Sequence, residues 1–232
     1  MLLAIDTATQ YISIALHNGK QILAESSWYS PNNHTLTLAS ETEALFVKAG
    51  IEVADLTEVA VCTGPGSYTG LRVGVSFAKA IASARQLPLI ALSSLDILAV
   101  AQPTLSRQLI GVIQAGRGRV IWQSFEFTRK GQWSPKTEPA LSEWSEMLAQ
   151  IEGTTMISGE INEDVVDAIK AEKAKGKSIV IAPPAFGLRR AGFLAEEALR
   201  QVRDIEPEAR LEKFPSAQVM PVYLKTKDKE TP

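Results

Sequence analysis

The sequence predicts an α/β protein in which each of two halves contains a mixed β-sheet with helices packed against it. Short apolar runs that suit strands alternate along the chain with longer segments of helical periodicity. The first half gives three antiparallel strands, then helix, strand, helix, strand and helix, which fits a five-stranded mixed sheet. A break at residues 103–107 precedes a second half that opens on another hairpin and repeats a similar order of elements.

The elements of the first half follow from local patterns. Residues 2–6 are apolar and predict a buried strand, and the alternation of Ile12, Ile14 and Leu16 predicts a half-buried second strand that ends at the Asn18–Gly19 turn. The remaining elements are a strand over 21–28, a helix over 35–49, a strand over 59–62, a helix over 71–85, a strand over 87–92 and a helix over 94–101.

The second half is predicted in the same way. Its strands are expected over 109–114, 119–127, 154–158 and 178–182, and its helices over 142–151, 162–174 and 188–203. Residues 220–225 suit a short docking segment, and residues 226–232 a loose charged tail. We therefore expect two subdomains, 1–104 and 105–232.

Composition limits the classes of function. The 232 residues are 45% hydrophobic and 22% charged, with 24 Lys and Arg against 26 Asp and Glu, so a net charge of −2 creates no general attraction for nucleic acid. One cysteine, Cys62, allows no internal disulfide and fits a reducing compartment, where we read it as a core residue. The apolar run at 2–5 is too short for a secretory leader, and no stretch is long enough for a membrane span. We expect a cytoplasmic protein with no membrane partner.

The most informative segment is the glycine-rich turn between the strand at 59–62 and the next helix. Its glycines are Gly64, Gly66 and Gly70. The spacing matches neither the dinucleotide-binding fingerprint nor the Walker loop, because the third glycine comes one residue late and Leu71 stands where the Walker lysine would be. Two interpretations stay open, an anion or nucleotide loop at a helix N-terminus, and a tight turn for close packing.

The helix over 71–85 carries two apolar stripes at helical spacing. One is Leu71, Val75, Ala78 and Ala82; the other is Val73, Phe77, Ala80, Ile81 and Ala84. A helix that packs on one side only shows a single stripe. The second stripe indicates either a helix enclosed within one domain or a partner protein.

Several segments together resemble the bacterial TsaB (YeaZ) family. They are Ile5-Asp-Thr-Ala-Thr9, His34-Thr35, Gly64-Pro-Gly-Ser-Tyr-Thr-Gly-Leu-Arg-Val-Gly74, Ala78-Lys79 and Pro221-Val-Tyr-Leu224. The resemblance covers the whole chain and implies an actin-like, sugar-kinase-like (ASKHA) fold of two related subdomains. It also implies a role in making threonylcarbamoyladenosine beside the anticodon of tRNA.

The resemblance implies a subunit that supports catalysis by another chain. Expected partners are the related catalytic subunit TsaD and the small ATPase TsaE, with tRNA contacted only within the complex and a homodimer formed in isolation. No cofactor is expected in this chain, since ATP is expected at the partner subunits. The expected interface uses the first two helices, with His34, Leu38, Leu45, Tyr68, Leu71, Arg72, Val75, Ala78, Lys79 and Ala82.

The metal motif of the catalytic relative is not met here. That relative carries two histidines four residues apart, which lie on one helix face and suit a metal ion. This chain has Ser94 and Leu98 at the apparent counterparts, and its histidines, His17 and His34, are not paired. We expect no catalytic and no metal-binding residues. His34 is either a partner contact or a helix-start residue with a satisfied ring nitrogen.

A free-standing actin-fold ATPase or kinase is the alternative function. It would use Asp6 and Thr7 at the end of the first strand, with Gly64 and Gly66, to hold magnesium and phosphate. The structural interpretation is that Asp6 accepts backbone N–H bonds and fixes the hairpin. A peptidase is a third possibility, but no nucleophile and base are evident.

The hairpin at 114–121 departs from the family pattern. The resemblance leads us to expect acidic residues at positions 114 and 119 and an arginine at position 116, yet the chain has Gln114, Arg119 and Gly116. Arg117 and Arg119 make the hairpin basic, which suits a solvated turn or, as the alternative, a contact with phosphate or tRNA.

Overall fold

The structure is a computed structural model that describes residues 1–31, 34–103, 108–116 and 118–224, without the side chains of residues 34–36 and 164. In chain order the strands are β1 (Leu2–Asp6), β2 (Tyr11–His17), β3 (Ile22–Tyr29), β4 (Glu58–Gly64), β5 (Leu89–Ser93), β6 (Gln108–Gln114), β7 (Arg119–Phe127), β8 (Trp133–Pro135), β9 (Ala140–Glu143), β10 (Thr155–Gly159) and β11 (Ile179–Ile181). The helices are α1 (His34–Ala49), α2 (Tyr68–Arg85), α3 (Ser94–Val100), α4 (Trp144–Ala149), α5 (Glu163–Ala174), α6 (Pro184–Gly187), α7 (Ala191–Val202) and α8 (Pro207–Lys213).

The chain forms two compact units. The first contains Met1–Ala101 and Leu188–Val222, and the second contains Gln102–Gly187 with the described residues that follow Val222. The predicted second subdomain, 105–232, is therefore wrong for its last third, because residues 188–222 return to the first unit.

The sheet of the first unit has the strand order β3-β2-β1-β4-β5. Strands β1, β2 and β3 are antiparallel neighbours, while β4 and β5 run parallel to β1. The predicted five-stranded mixed sheet is confirmed. Two of its three inner strands, β1 and β4, are buried along their whole length, as expected for strands covered on both faces.

Alternate residues of β1 face two separate cores. Leu3 and Ile5 pack with apolar side chains of α1 and α2 on one face of the sheet. Leu2 and Ala4 pack on the other face against α7, which contributes Leu194, Ala195, Ala198 and Val202. Because side chains alternate along a strand, a run of five apolar or buried residues needs a helix layer on each side.

Side chains of β2 and β3 hold the start of α7. The Ala191 N–H donates to Ser13 Oγ at 2.7 Å, and the Gly192 N–H donates to Glu25 Oε1 at 2.8 Å. The first N–H groups of a helix have no partner within the helix, so acceptors on the sheet satisfy them here. This docking explains why the segment from 188 onward belongs to the first unit.

The second unit repeats the sheet order of the first. Its order is β11-β10-β6-β7-β8, with β9 paired to β7, so β6, β7, β8, β10 and β11 match β1 to β5 in sequence and neighbour relations. The predicted hairpin of β6 and β7 is confirmed. The short elements β8, β9, α6 and α8 were not predicted, because each has seven residues or fewer and shows too little periodicity.

Candidate functional site

The end of β1 carries a buried ion pair. Arg189 Nε lies 3.1 Å from Asp6 Oδ2, and an Arg189 terminal nitrogen donates to Thr9 Oγ1 at 2.5 Å. The Ala8 N–H donates to Asp6 Oδ1 at 2.8 Å, which is the backbone hydrogen bond of the structural interpretation. Asp6 is 1% exposed and Arg189 4%. The carboxylate that the ATPase alternative needs for magnesium is thus neutralised from within the chain.

The thiol of Cys62 lies in the same buried region. Burial raises the pKa of the Cys62 thiol well above its usual value, and the Asp6 carboxylate raises it further. The thiolate is the reactive form of cysteine, so this raised pKa makes Cys62 an inert core residue. A cysteine nucleophile for the peptidase alternative is therefore not supported.

The glycines after β4 allow close approach of the β1–β2 turn. A Cβ atom at Gly66 would overlap the carbonyl of Ala8, and one at Gly70 would overlap the carbonyl of Thr7. A Cβ atom at Gly74 would overlap the Thr7 hydroxyl. These three glycines pack against the protein's own backbone and side chain, which favours the interpretation of a tight packing turn.

Hydrogen bonds join the same two segments, the β1–β2 turn and the start of α2. The Ser67 N–H donates to the Ala8 carbonyl at 2.6 Å, and the Thr7 hydroxyl donates to the Gly70 carbonyl at 2.7 Å. Ser67 is the N-cap of α2, and its Oγ accepts from the Gly70 N–H at 3.3 Å. The structure thus brings the predicted residues Asp6, Thr7, Gly64 and Gly66 to one place, where internal partners occupy the polar groups named above.

The predicted interface stripe of α2 faces inward. Leu71, Val75, Ala78 and Ala82 are buried against the sheet, so their assignment to a partner interface is wrong. Both stripes of α2 are apolar, and the sequence alone did not tell which one the sheet covers. The second stripe lies farther out: Val73, Phe77 and Ile81 are half-buried, and Ala80 and Ala84 are exposed.

The predicted interface positions on α1 are also buried within the first unit. Leu38 and Leu45 are buried in the core beneath the sheet, so they too are not interface residues. Among the described side chains of this helix, Val47 is a large apolar residue that is exposed. The prediction for His34 concerns a side chain that lies outside the described residues.

Three of the predicted interface residues are accessible. Tyr68, 59% exposed, and Arg72 form a pair in which Arg72 Nη1 donates to Tyr68 Oη at 2.8 Å and the guanidinium carbon lies 5.2 Å from the ring centre. Lys79 is half-buried, and its Nζ donates to the carbonyls of Ala217 and Val219 at 3.2 and 3.0 Å. Arg72 and Lys79 therefore have different surroundings, the first open and the second bonded to the C-terminal segment.

The positions that would correspond to a metal-binding pair are buried. Ser94 donates to the Pro65 carbonyl at 2.5 Å, and Leu98 belongs to the core. His17 is also buried: its Nδ1 accepts from the Gly19 N–H at 2.9 Å, and its Nε2 lies 3.1 Å from Glu196 Oε1. Since Nδ1 accepts, Nε2 carries the proton and donates to Glu196.

Two kinds of feature are absent from the described ranges. No group of three or more His, Cys, Asp or Glu side chains in these ranges is placed to hold a metal ion. No helix within them has the length and apolar character to cross a membrane.

The basic hairpin of the second unit is fixed by an acidic residue. The Gln114 N–H donates to Glu160 Oε2 at 3.0 Å, and Arg119 lies opposite Glu143 in the register of β7 and β9. Arg117 lies outside the described residues. These acidic neighbours reduce the positive charge that the sequence suggested for this hairpin.

A family model matches the greater part of the chain. Residues 25–184 match the model described as TsaD: tRNA N6-adenosine threonylcarbamoyltransferase. This match begins within β3, ends at the first residue of α6 and covers both units in part.

Curated relatives carry a related description. The tRNA threonylcarbamoyladenosine biosynthesis protein TsaB of Bacillus subtilis (strain 168) is 31% identical over 161 residues, which are 68% of this chain and 70% of that protein. The protein of the same description from Escherichia coli (strain K12) is 31% identical over 143 residues, 60% of this chain and 62% of that protein.

Solved structures show the same fold. YeaZ from Pseudomonas aeruginosa superposes with a TM-score of 0.73 at 23% identity, over 96% of this chain and 99% of that one. A Pseudomonas aeruginosa protein described as uncharacterized, with similarity to peptidase YEAZ, gives a TM-score of 0.76 at 22% identity, over 97% and 99%. At these identities the likeness establishes the fold.

Proposed function

We propose, from the premise that this chain belongs to the TsaB/YeaZ family, that it is a noncatalytic subunit in the synthesis of threonylcarbamoyladenosine in tRNA. In this proposal it pairs with a catalytic relative of the TsaD type and acts with an ATPase of the TsaE type. It contacts tRNA only within that assembly, pairs with itself when alone, and acts in the cytoplasm.

The observation that carries the proposal is the outward face of α2. Val73, Ser76, Ala80 and Ala84 lie three or four residues apart and form one strip, in which Ser76, Ala80 and Ala84 are exposed. Small side chains allow a second helix to approach closely, and a helix with one buried and one outward apolar stripe is suited to a partner. In this proposal the pairing surface uses this outward strip, which shares Val73, Ala80 and Ala84 with the second apolar stripe of α2, and not the stripe first predicted.

The polar contacts at Asp6 support a noncatalytic role. Magnesium bound to a nucleotide needs oxygen ligands, and the Asp6 carboxylate already accepts from the Arg189 guanidinium and the Ala8 N–H. The ATPase alternative would have to break this buried ion pair before the metal could bind.

The test is a charge placed on the outward strip. Ala80→Asp should weaken binding to a TsaD-type partner at least tenfold in titration calorimetry, because the new carboxylate would be buried without a counter-charge. The matched control is Ala171→Asp, at an exposed alanine within α5. Equal affinity of Ala80→Asp and the parent protein would refute the proposed surface.

A further inference from the structure

The segment Phe214–Val222, which we call the strap, follows α8 and is tied to the sheet at both ends. The Leu89 N–H donates to the Phe214 carbonyl at 2.9 Å, and the Val222 N–H donates to the Thr63 carbonyl at 2.8 Å. The strap therefore leaves the start of β5 and reaches the end of β4. Between these points it contains a 3-10 turn, Ser216–Gln218.

Side chains of α2 hold the middle of the strap. Lys79 Nζ donates to the carbonyls of Ala217 and Val219, and Ser83 Oγ lies 3.0 Å from Ser216 Oγ. The last carbonyls of a helical turn have no partner within it, and a lysine ammonium is well suited to them. Lys79 thus caps the turn of the strap from a neighbouring helix.

The strap presents apolar side chains to solvent. Val219 points into the core formed with α1 and α2, whereas Met220 is 69% exposed and Val222 is 50% exposed. The backbone bonds fix this alternation, because Val222 donates to Thr63 and the Val219 carbonyl accepts from Lys79. An exposed methionine is a flexible, polarisable contact residue that adapts to the shape of a partner.

The strap borders the outward strip of α2. Arg72, Lys79 and Ser83 lie seven and four residues apart, so they share one side of the helix next to the strip of Val73, Ser76 and Ala80. The strap is bonded to this side through Lys79 and Ser83, and Met220 and Val222 are its exposed apolar residues.

We propose that Lys79 is the positioning residue that fixes the strap on α2, and that the fixed strap forms part of the surface that receives the TsaD-type catalytic relative. The second clause depends on the proposed function and deepens it. Lys79 then acts through the strap and not by touching the partner. The partner's matching surface is apolar, since Met220 and Val222 offer it neither charge nor hydrogen bonds.

Hydrogen exchange on the isolated protein tests the role of Lys79 without a partner. In Lys79→Met the amides of Val219 and Val222 should exchange about tenfold faster, because the Ala217 and Val219 carbonyls lose their shared donor and the strap opens more often. Lys79→Arg, which retains donors and charge, should stay within about threefold of the parent. Lys20→Met, at an exposed lysine of the β2–β3 turn, is the matched control. Unchanged exchange in Lys79→Met would overturn the role of Lys79.

Binding to the purified TsaD-type partner tests the second clause. The double variant Met220→Ser and Val222→Ser should weaken the complex about tenfold, and Lys79→Met should weaken it while Lys79→Arg does not. If Ala80→Asp prevents binding but the strap variants bind like the parent, the strap lies outside the surface and the proposed function survives. If Ala80→Asp also binds like the parent, the proposed pairing surface itself is wrong. A change confined to self-association of this chain would also overturn the assignment of the strap to the catalytic relative.

Discussion

Arg189 donates to the Asp6 carboxylate across 183 positions of the sequence, with Nε 3.1 Å from Oδ2. Both side chains are buried, so each supplies the counter-charge without which the other would be buried unpaired. The pair fixes the returning chain to the end of the first strand and occupies the carboxylate that the ATPase alternative would use for magnesium.

Arg189→Ala should lower the free energy of unfolding by about 3–5 kcal/mol, because the Asp6 carboxylate would remain buried without a partner. Urea denaturation followed by circular dichroism measures this difference. Arg190→Ala is the neighbouring control, since Arg190 pairs with Glu25 at a partly exposed position and should cost about 1 kcal/mol or less. A similar loss in both variants would contradict the special role of the buried pair.

Calorimetry of the isolated chain with Mg-ATP should show no binding in the micromolar range. The reason is that the Asp6 oxygens already accept from Arg189 and Ala8. Micromolar binding that disappears in Asp6→Ala would instead favour the ATPase alternative.

The two stripes of α2 should respond differently to a charge. Val75→Asp should cost more than about 4 kcal/mol of stability or prevent folding, because the carboxylate would enter the core without a partner. Ala80→Asp on the exposed stripe should change stability by about 0.5 kcal/mol or less. Thermal unfolding of both variants makes the comparison, and equal losses would contradict the inward and outward assignment.

Gly74→Ala should destabilise the protein by about 1–3 kcal/mol, because the new methyl group would overlap the Thr7 hydroxyl. Adding Thr7→Ala removes that hydroxyl, so the double variant should lose less than the sum of the two single losses. Strictly additive losses of stability would show that there is no steric overlap between a methyl group at position 74 and the Thr7 side chain. Ser76→Ala, at an exposed position two residues further along α2, controls for helix propensity.

Stability should depend on the protonation of Asp96. Burial, with the nearby Glu197 carboxylate adding to it, raises the pKa of Asp96 from 3.8 to about 6. The folded state therefore binds this proton more tightly than the unfolded state, and its stabilising effect is complete below about pH 4 and is lost as the pH rises to about 6. Above that range the ionised Asp96 carboxylate lowers the stability of the folded state by a constant amount. Because the residue is partly exposed, we count only about one pKa unit of the shift, which corresponds to about 1 kcal/mol.

Asp96→Asn should accordingly stabilise the protein at pH 7.5 by about 1 kcal/mol and by less at pH 4.5. Urea denaturation at the two pH values gives the difference. Asp167→Asn, at an exposed residue paired with Lys170, should show little change at either pH. A stabilisation by Asp96→Asn that is the same at both pH values would contradict the pH dependence.

The sequence predicted the fold class well, because its strands and long helices carry clear local patterns. The alternation of Ile12, Ile14 and Leu16, the Asn18–Gly19 turn and the periodicity of α2 all gave correct elements. The two sheets of the same strand order confirm the predicted architecture of two related halves, and the superposition on YeaZ from Pseudomonas aeruginosa establishes the fold. Short elements such as α8 and β9 carry too few residues for a periodic signal.

The site was predicted less well, for a physical reason. Asp6 and Arg189 meet only in the folded chain, and no local pattern links two residues so far apart. The available signal was Leu188-Arg-Arg190 before the small residues Ala191 and Gly192, a pair of cations at the start of a helix that could approach a strand closely. The stripe facing the sheet was missed because both sides of α2 are apolar, and only the packing of the sheet decides between them.

The return of residues 188–222 has a consequence for synthesis on the ribosome. When the first hundred residues have emerged, one side of their sheet still lacks α7, so Leu2, Ala4 and Ile90 stay uncovered until residues 191–202 have been made. The unit made of 102–187 can close earlier, since its sheet needs no later segment. The first unit is therefore completed after the unit made of 102–187, and a nascent chain stalled near residue 185 would expose an apolar surface to chaperones and proteases.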